Sequence, residues 1–160
     1  MPIKMLTDLL DRNNIRYTVV SHPTAFTAQG LAALTHTPGK ELAKTVIIIL
    51  DDVLAMAVLP ASSQVDLSRL QAITGAKSIR LAREPEFTHC FPGCETGAMP
   101  PFGNLYGMAV FVDKSLTEDA EIAFNAGSHQ ELMRITYRDF EQIVQPTILQ
   151  FASRARARVA

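Results

Sequence analysis

Tryptophan is absent from this chain, only two cysteines occur, and no apolar run approaches the roughly 18 residues that a membrane-crossing helix needs. Two cysteines are too few for a disulfide scaffold. Cys90 and Cys94, spaced C-x3-C, also lack the partners of a four-ligand zinc site, so a reducing compartment is expected. An excess of either charge is missing too: 15 Lys and Arg face 16 Asp and Glu, for a net charge of −1. No broad electrostatic field for nucleic acid follows from that balance, and such a contact would have to come from a local patch. Neither a signal-peptide pattern at Met1-Pro2-Ile3-Lys4 nor a repeat, a low-complexity segment or a linker is present. What remains is 160 residues at 48% hydrophobic content, enough for one domain with a sizeable core. The expectation is a soluble cytoplasmic protein, with a domain over residues 1–150 and a basic tail over 151–160 carrying Arg154, Arg156 and Arg158.

Residues 3–12 place Leu6, Leu9 and Leu10 on one helical face, with Asn13-Asn14 as a stop. Residues 16–21 alternate as a strand ending at His22-Pro23, and Thr27 is an N-cap for a short helix. Gly30 stands where a capping box would put Glu or Gln. Residues 44–50 and 53–59 are nearly continuous apolar runs around Asp51-Asp52, a buried β-hairpin. A helix follows over residues 66–74, with Leu67, Leu70 and Ile73 on one side and Gly75 as its stop. Shorter elements follow: a strand over 78–81, a helix over 84–89, and strands over 106–112, 121–124 and 132–136. A helix over 137–144 is expected with Tyr137, Phe140 and Val144 inward, and a last helix over 147–155 after Pro146. Irregular alternation of hairpins and crossovers implies an α/β fold with a mixed sheet and flanking helices.

Three polar features stand out. Lys44 opens the most apolar strand, either as a snorkelling strand-end lysine or as a cation facing a phosphate or carboxylate. Gly97-Ala98-Met99-Pro100-Pro101-Phe102-Gly103 reads as neither helix nor strand, because two prolines remove donors and fix φ while the glycines permit conformations closed to other residues. It is expected to be a stiff loop outside the apolar core, with every backbone N–H but those of the prolines free to face a ligand. The third is the turn Asn125-Ala126-Gly127-Ser128-His129, where a lone histidine is more often structural than catalytic.

In that order, Lys44-Thr45 before an apolar strand, Gly-x-x-x-Pro-Phe-Gly and Asn-Ala-Gly-Ser-His resemble the YbaK family, which includes the editing domain inserted in bacterial prolyl-tRNA synthetases. His22-Pro23 ahead of Phe26-Thr27 adds to the likeness, which covers roughly residues 16–144. The resemblance implies a mixed, strongly curved sheet and a free-standing aminoacyl-tRNA deacylase working in trans, with mischarged tRNA as partner and a prolyl-tRNA synthetase as a further one. It implies Lys44 at the terminal adenosine and its phosphate. Gly97, Ala98, Met99 and Pro101 would form the loop around the substrate carbonyl, with His129 orienting substrate or water. His22, Phe26, Asn125, Gly127 and Ser128 would be further substrate contacts. The sequence departs from the family pattern at Gln29-Gly30, where an acidic pair is common, and over residues 131–137.

An aminoacyl ester is already activated, so its hydrolysis needs a positioned water and a stabilised oxyanion, worth about 3 kcal/mol per preorganised donor. No Ser-His-Asp set at a nucleophile elbow and no metal-ligand cluster appear in the sequence, and neither cofactor nor metal is expected. The resemblance implies that the ribose 2′-OH assists. Alanine is the first expected amino acid, followed by serine, threonine, cysteine and 2-aminobutyrate. Two other classes stand beside this reading: a non-catalytic tRNA-binding or regulatory module, and a thiol enzyme using Cys90 or Cys94.

Overall fold

A computed structural model of the chain describes residues 2–154. The first helix, α1 (Lys4–Arg12), buries Leu6 and Leu10 and has Asn13 as its C-cap, after which Asn14 at φ 56° turns the chain away. Strand β1 (Thr18–Ser21) and helix α2 (Ala28–Leu34) follow. The hairpin is formed by β2 (Ala43–Leu50) and β3 (Val53–Pro60), antiparallel from Ala43↔Pro60 to Leu50↔Val53. Asp51 and Asp52 turn it with φ of 48° and 66°, the positive pair that a two-residue hairpin loop requires. The Asp51 carboxylate then accepts the N–H groups of Lys77 (2.8 Å) and Ser78 (3.0 Å).

Next come β4 (Ser63–Val65), α3 (Leu67–Thr74), β5 (Ile79–Leu81) and α4 (Glu84–Phe87). Helix α3 is capped by the Asp66 carboxylate and stopped by Gly75 at φ 71°, and its Ile73, expected inward, faces solvent. The strand expected from residue 106 begins at Ala109 as β6 (Ala109–Asp113). Strands β7 (Glu121–Asn125) and β8 (Glu131–Thr136) lead into α5 (Tyr137–Val144), which Gln145 ends in the left-handed region.

The expected last helix does not form. Residues 147–149 and 152–154 are instead the strands β9 (Thr147–Leu149) and β10 (Ala152–Arg154). Strand β9 adds in parallel to β6, and β10 pairs with β4, which was not foreseen. Phe151 between them is fully buried, so the fold runs past residue 150, and Arg154 pairs opposite Ser63. Arg156 and Arg158 lie outside the described residues.

The strands form a five-stranded sheet in the order β5-β2-β3-β6-β9, a three-stranded sheet β1-β8-β7 and the pair β10-β4. Antiparallel pairing of β2 with β3 and β5, and parallel pairing of β3-β6-β9, make the large sheet mixed, as expected. The two larger sheets meet where Leu42 bridges Ala123 and the Ala123 N–H donates to the Glu41 carbonyl (2.9 Å).

The proline loop is not outside the core. Ala98 and Phe102 are fully buried and Met99 nearly so. Phe102 packs edge-on against Phe124 and Phe140, with ring centroids 5.3 and 5.6 Å away. Gly103 backs directly onto the Met108 carbonyl, leaving no room for a side chain. A loop with so much apolar surface is held inward by burial as firmly as a strand would be.

Candidate functional site

Four pieces of chain wall one cleft of about 420 Å³, counting its open mouth. The start of β2 gives Ala43, Lys44 and Thr45; the entry to α2 gives Ala25, Phe26, Thr27, Ala28 and Leu31. The proline loop gives Gly97 and Met99, and the far side is Asn125 and His129, with Leu42 at the base. Local sequence explains each placement. The Thr27 hydroxyl caps α2 by accepting the Gly30 N–H (3.0 Å), and any Cβ at Gly30 would stand 2.8 Å from that oxygen. Thr27 thus caps α2 without the reciprocal side chain of a full capping box, because the third helical residue is glycine.

Lys44 sits half-buried, and burial pushes its ammonium below its ordinary pKa. It makes no ion pair or side-chain hydrogen bond among the described residues. A partly desolvated cation without a counter-charge, in the wall of a cleft, is suited to an anionic ligand.

The loop and the 125–129 turn are clipped together. Glu95 N–H donates to the Gly127 carbonyl (2.8 Å), and Gly127 N–H returns to the Ala98 carbonyl (3.0 Å). The Glu95 carboxylate accepts the His129 backbone N–H (3.1 Å), and His129 Nε2 lies 2.7 Å from the Thr96 carbonyl oxygen. A carbonyl can only accept, so Nε2 carries a proton and Nδ1, buried without a partner, is the ring's other nitrogen. Above this ring stands Phe26, 77% exposed, with centroids 5.0 Å apart.

The loop's backbone donors are not all free, contrary to expectation. Ala98 N–H is taken by the Glu95 carbonyl (3.0 Å) and Gly97 N–H by the Met99 thioether (3.2 Å), because the chain doubles back at Gly97 with φ 87°. Those of Thr96 and Met99 have no partner among the described residues.

Of the residues singled out in sequence, Lys44, Gly97, Met99, His129, Phe26 and Asn125 share the cleft. Ala98, Pro101, His22, Gly127 and Ser128 do not line it. Ala98 and Pro101 are buried beneath it. His22 Nδ1 bonds the Pro23 carbonyl (2.7 Å), Ser128 Oγ accepts the Gln130 N–H (3.3 Å), and Gly127 packs where a Cβ would stand 2.6 Å from Ile3. Sequence reasoning missed Thr45 and Leu31 in the wall and Glu95 as the clip. Leu31, one turn beyond Ala28 on α2, was reachable from helical periodicity; no local pattern marks Glu95. The thiols sit elsewhere: burial raises the Cys94 pKa, and its sulfur contacts the Tyr106 hydroxyl (3.7 Å), an inert setting.

The sequence profile of the aminoacyl-tRNA editing domain matches residues 22–143. The chain belongs to that family. As a member it is an aminoacyl-tRNA deacylase, a hydrolase. It is 28% identical over 151 residues to the multifunctional Ser/Thr-tRNA deacylase ProXp-y of Escherichia coli (strain K12), covering 91% of this chain and 90% of that one. The fold of this editing domain is similar to that of the hypothetical protein APE2540, with a TM-score of 0.83 at 17% identity, covering 94% of this chain and all of that one. It is also similar to a candidate trans-editing enzyme for prolyl tRNA synthetase, with a TM-score of 0.80 at 17% identity and coverage of 94% and 96%. Among the described residues, no helix of the editing domain is long and apolar enough to cross a membrane.

Proposed function

We propose that this editing domain acts in trans on tRNA carrying a wrong small amino acid, and that serine and threonine are preferred over alanine. The observation that carries the reading is the meeting of Lys44, Gly97, Asn125 and His129 in one cleft from three distant stretches of sequence. Asn125 supports the order of substrates. Its Oδ1 is buried and unpartnered in the described structure, and a buried acceptor without a donor is costly. A β-hydroxyl can donate to it, as can the α-ammonium; alanine offers only the latter. The E. coli relative acts on Ser/Thr-tRNA, which favours the same class.

In this reading Lys44 holds a phosphate of the tRNA 3′ end, and Phe26 offers an exposed ring face for the terminal adenine. A water oxygen bonds to the carbonyl carbon, the bond to the ribose 3′ oxygen breaks, and that oxygen takes a proton. The neighbouring 2′-OH aligns the water. The loop's N–H groups stabilise the tetrahedral oxyanion, about 3 kcal/mol for each well-placed donor. His129 is a positioning residue, since its Nε2 proton is committed to the Thr96 carbonyl and so holds the loop against the turn.

Editing is needed because a synthetase pocket discriminates a single methylene by only about 1–3 kcal/mol. The test is deacylation of a panel of tRNAs charged with serine, threonine, alanine, cysteine, 2-aminobutyrate and cognate amino acids. Fastest turnover on serine or threonine supports the proposal. Alanine first would restore the order expected from sequence, and tight binding without hydrolysis would point to a non-catalytic module.

A further inference from the structure

Among the loop donors that do have a partner, Gly97 N–H is unusual in pointing at sulfur. The Met99 Sδ acceptor lies 3.2 Å away, and both residues line the cleft. Met99 is 5% exposed and packs in the main hydrophobic cluster, and its three rotatable side-chain bonds let the sulfur leave Gly97 without a shift of the backbone. Thioether sulfur is a weak acceptor, a carbonyl oxygen a better one, and an oxyanion better still. A donor resting on sulfur is therefore oriented in the empty cleft and yields to any oxygen that reaches it.

We infer that the Met99 thioether is a displaceable stand-in for the reacting carbonyl oxygen, which substrate must push aside before Gly97 can act as an oxyanion donor. This rests on the deacylase reading of the cleft. The exchange favours the transition state: the N–H···S contact is lost equally on the way to the bound ester and to the tetrahedral species, but the charged oxygen repays more. It also favours turnover. The product 3′ end carries a hydroxyl and no carbonyl, so the sulfur can return to Gly97 as the amino acid leaves.

The test is a graded acceptor at nearly constant size. Met99→Leu removes the acceptor, and Met99→Gln replaces it with an amide oxygen. With the tRNA hydrolysed fastest by the parent, kcat/KM is expected to rise about two- to threefold in the Leu variant and to fall at least tenfold in the Gln variant. In substrate-free protein, the Gly97 amide proton should move upfield and exchange faster in Met99→Leu, and move downfield in Met99→Gln. Cooperative melting of both variants checks the fold. A parent inert toward every charged tRNA would sink the deacylase reading. A working parent whose Leu and Gln variants lose activity equally, or whose Gly97 amide does not respond to Met99→Leu, overturns the stand-in alone.

Discussion

The α-carbon of Gly97 faces the edge of the His129 ring: a Cβ there would stand 3.4 Å from Cε1 and 3.7 Å from Nε2. Space alone would tolerate alanine. The backbone would not, since φ at Gly97 is 87°, a conformation that costs a non-glycine residue about 1–2 kcal/mol.

Gly97→Val adds a branched side chain to that strain and presses on the ring that is bonded to Thr96. Single-turnover deacylation should fall about 10²–10³-fold, the loss expected for one misplaced oxyanion donor. Gly97→Ala should fall less. Because Met99 and Phe102 anchor the same loop in the core, the Val variant should also melt earlier than the parent, at the few-degree level. A folded Val variant with parental rates would remove the loop from the mechanism.

Lys44 links function to stability with opposite signs. Burial lowers its folded pKa below the unfolded value of 10.5, so holding its charge in the fold is unfavourable at neutral pH. The unfolded chain binds more protons between the two values, so stability rises as pH climbs through that alkaline window. Lys44→Met should therefore melt higher than the parent at pH 7, with the gap closing toward pH 10.5, while losing most deacylation. Lys44→Arg should rescue activity only in part, as the guanidinium differs in shape and hydration. A destabilised Met variant at neutral pH would contradict the desolvation argument.

Asn125→Ala removes the orphan acceptor and should narrow substrate choice. Rates on serine- and threonine-tRNA should drop about tenfold more than the rate on alanine-tRNA. Equal losses across the panel would assign Asn125 to the α-ammonium that all substrates share.

Asp113 is the fastener of the C-terminal strands. One carboxylate oxygen accepts the N–H groups of Phe151 (2.9 Å) and Ala152 (2.8 Å), and the other is bonded by Ser115. Burial pushes the carboxyl up, but the Ser115 hydroxyl and the three backbone donors outweigh it and hold the pKa below 3.8. A lowered carboxylate contributes stability that is complete above the unfolded value and is lost as pH falls through the folded one. Asp113→Ala should cost about 2–4 kcal/mol at pH 7 by orphaning buried donors, with the difference from the parent shrinking in strong acid. Urea titrations of both proteins across pH 2–7 measure this.

Local grammar made much of the fold readable. The Asp51-Asp52 turn, the Thr27 cap and the Gly75 stop each depend on a few neighbouring residues, and each forms as its chemistry dictates. The end of the chain was misread because Thr147–Leu149 and Ala152–Arg154 are three-residue strands whose partners lie in β6 and β4, far away in sequence. The burial of the proline loop was hidden by its glycines and prolines, which suggest a surface turn, although Ala98, Met99 and Phe102 supply apolar area that only a core can take up. Lys44, Gly97 and His129 share no spacing that physics alone would join. Their convergence was legible through family resemblance, and the Glu95 and Met99 contacts only through geometry.

The cleft straddles a seam. Lys44 rides on the five-stranded sheet, Asn125 ends a strand of the three-stranded one with His129 in the turn that joins β7 to β8, and between those sheets run the Leu42–Ala123 bridge and the Glu41 carbonyl. Reaction rate is thus a ruler laid across that joint. A slip of one sheet against the other would alter the distance from the phosphate anchor to the histidine turn without touching a residue in the cleft's reacting centre. Variation at Ala123, two residues before Asn125 on β7 and outside the cleft lining, would then register as a kinetic defect before it registered as unfolding.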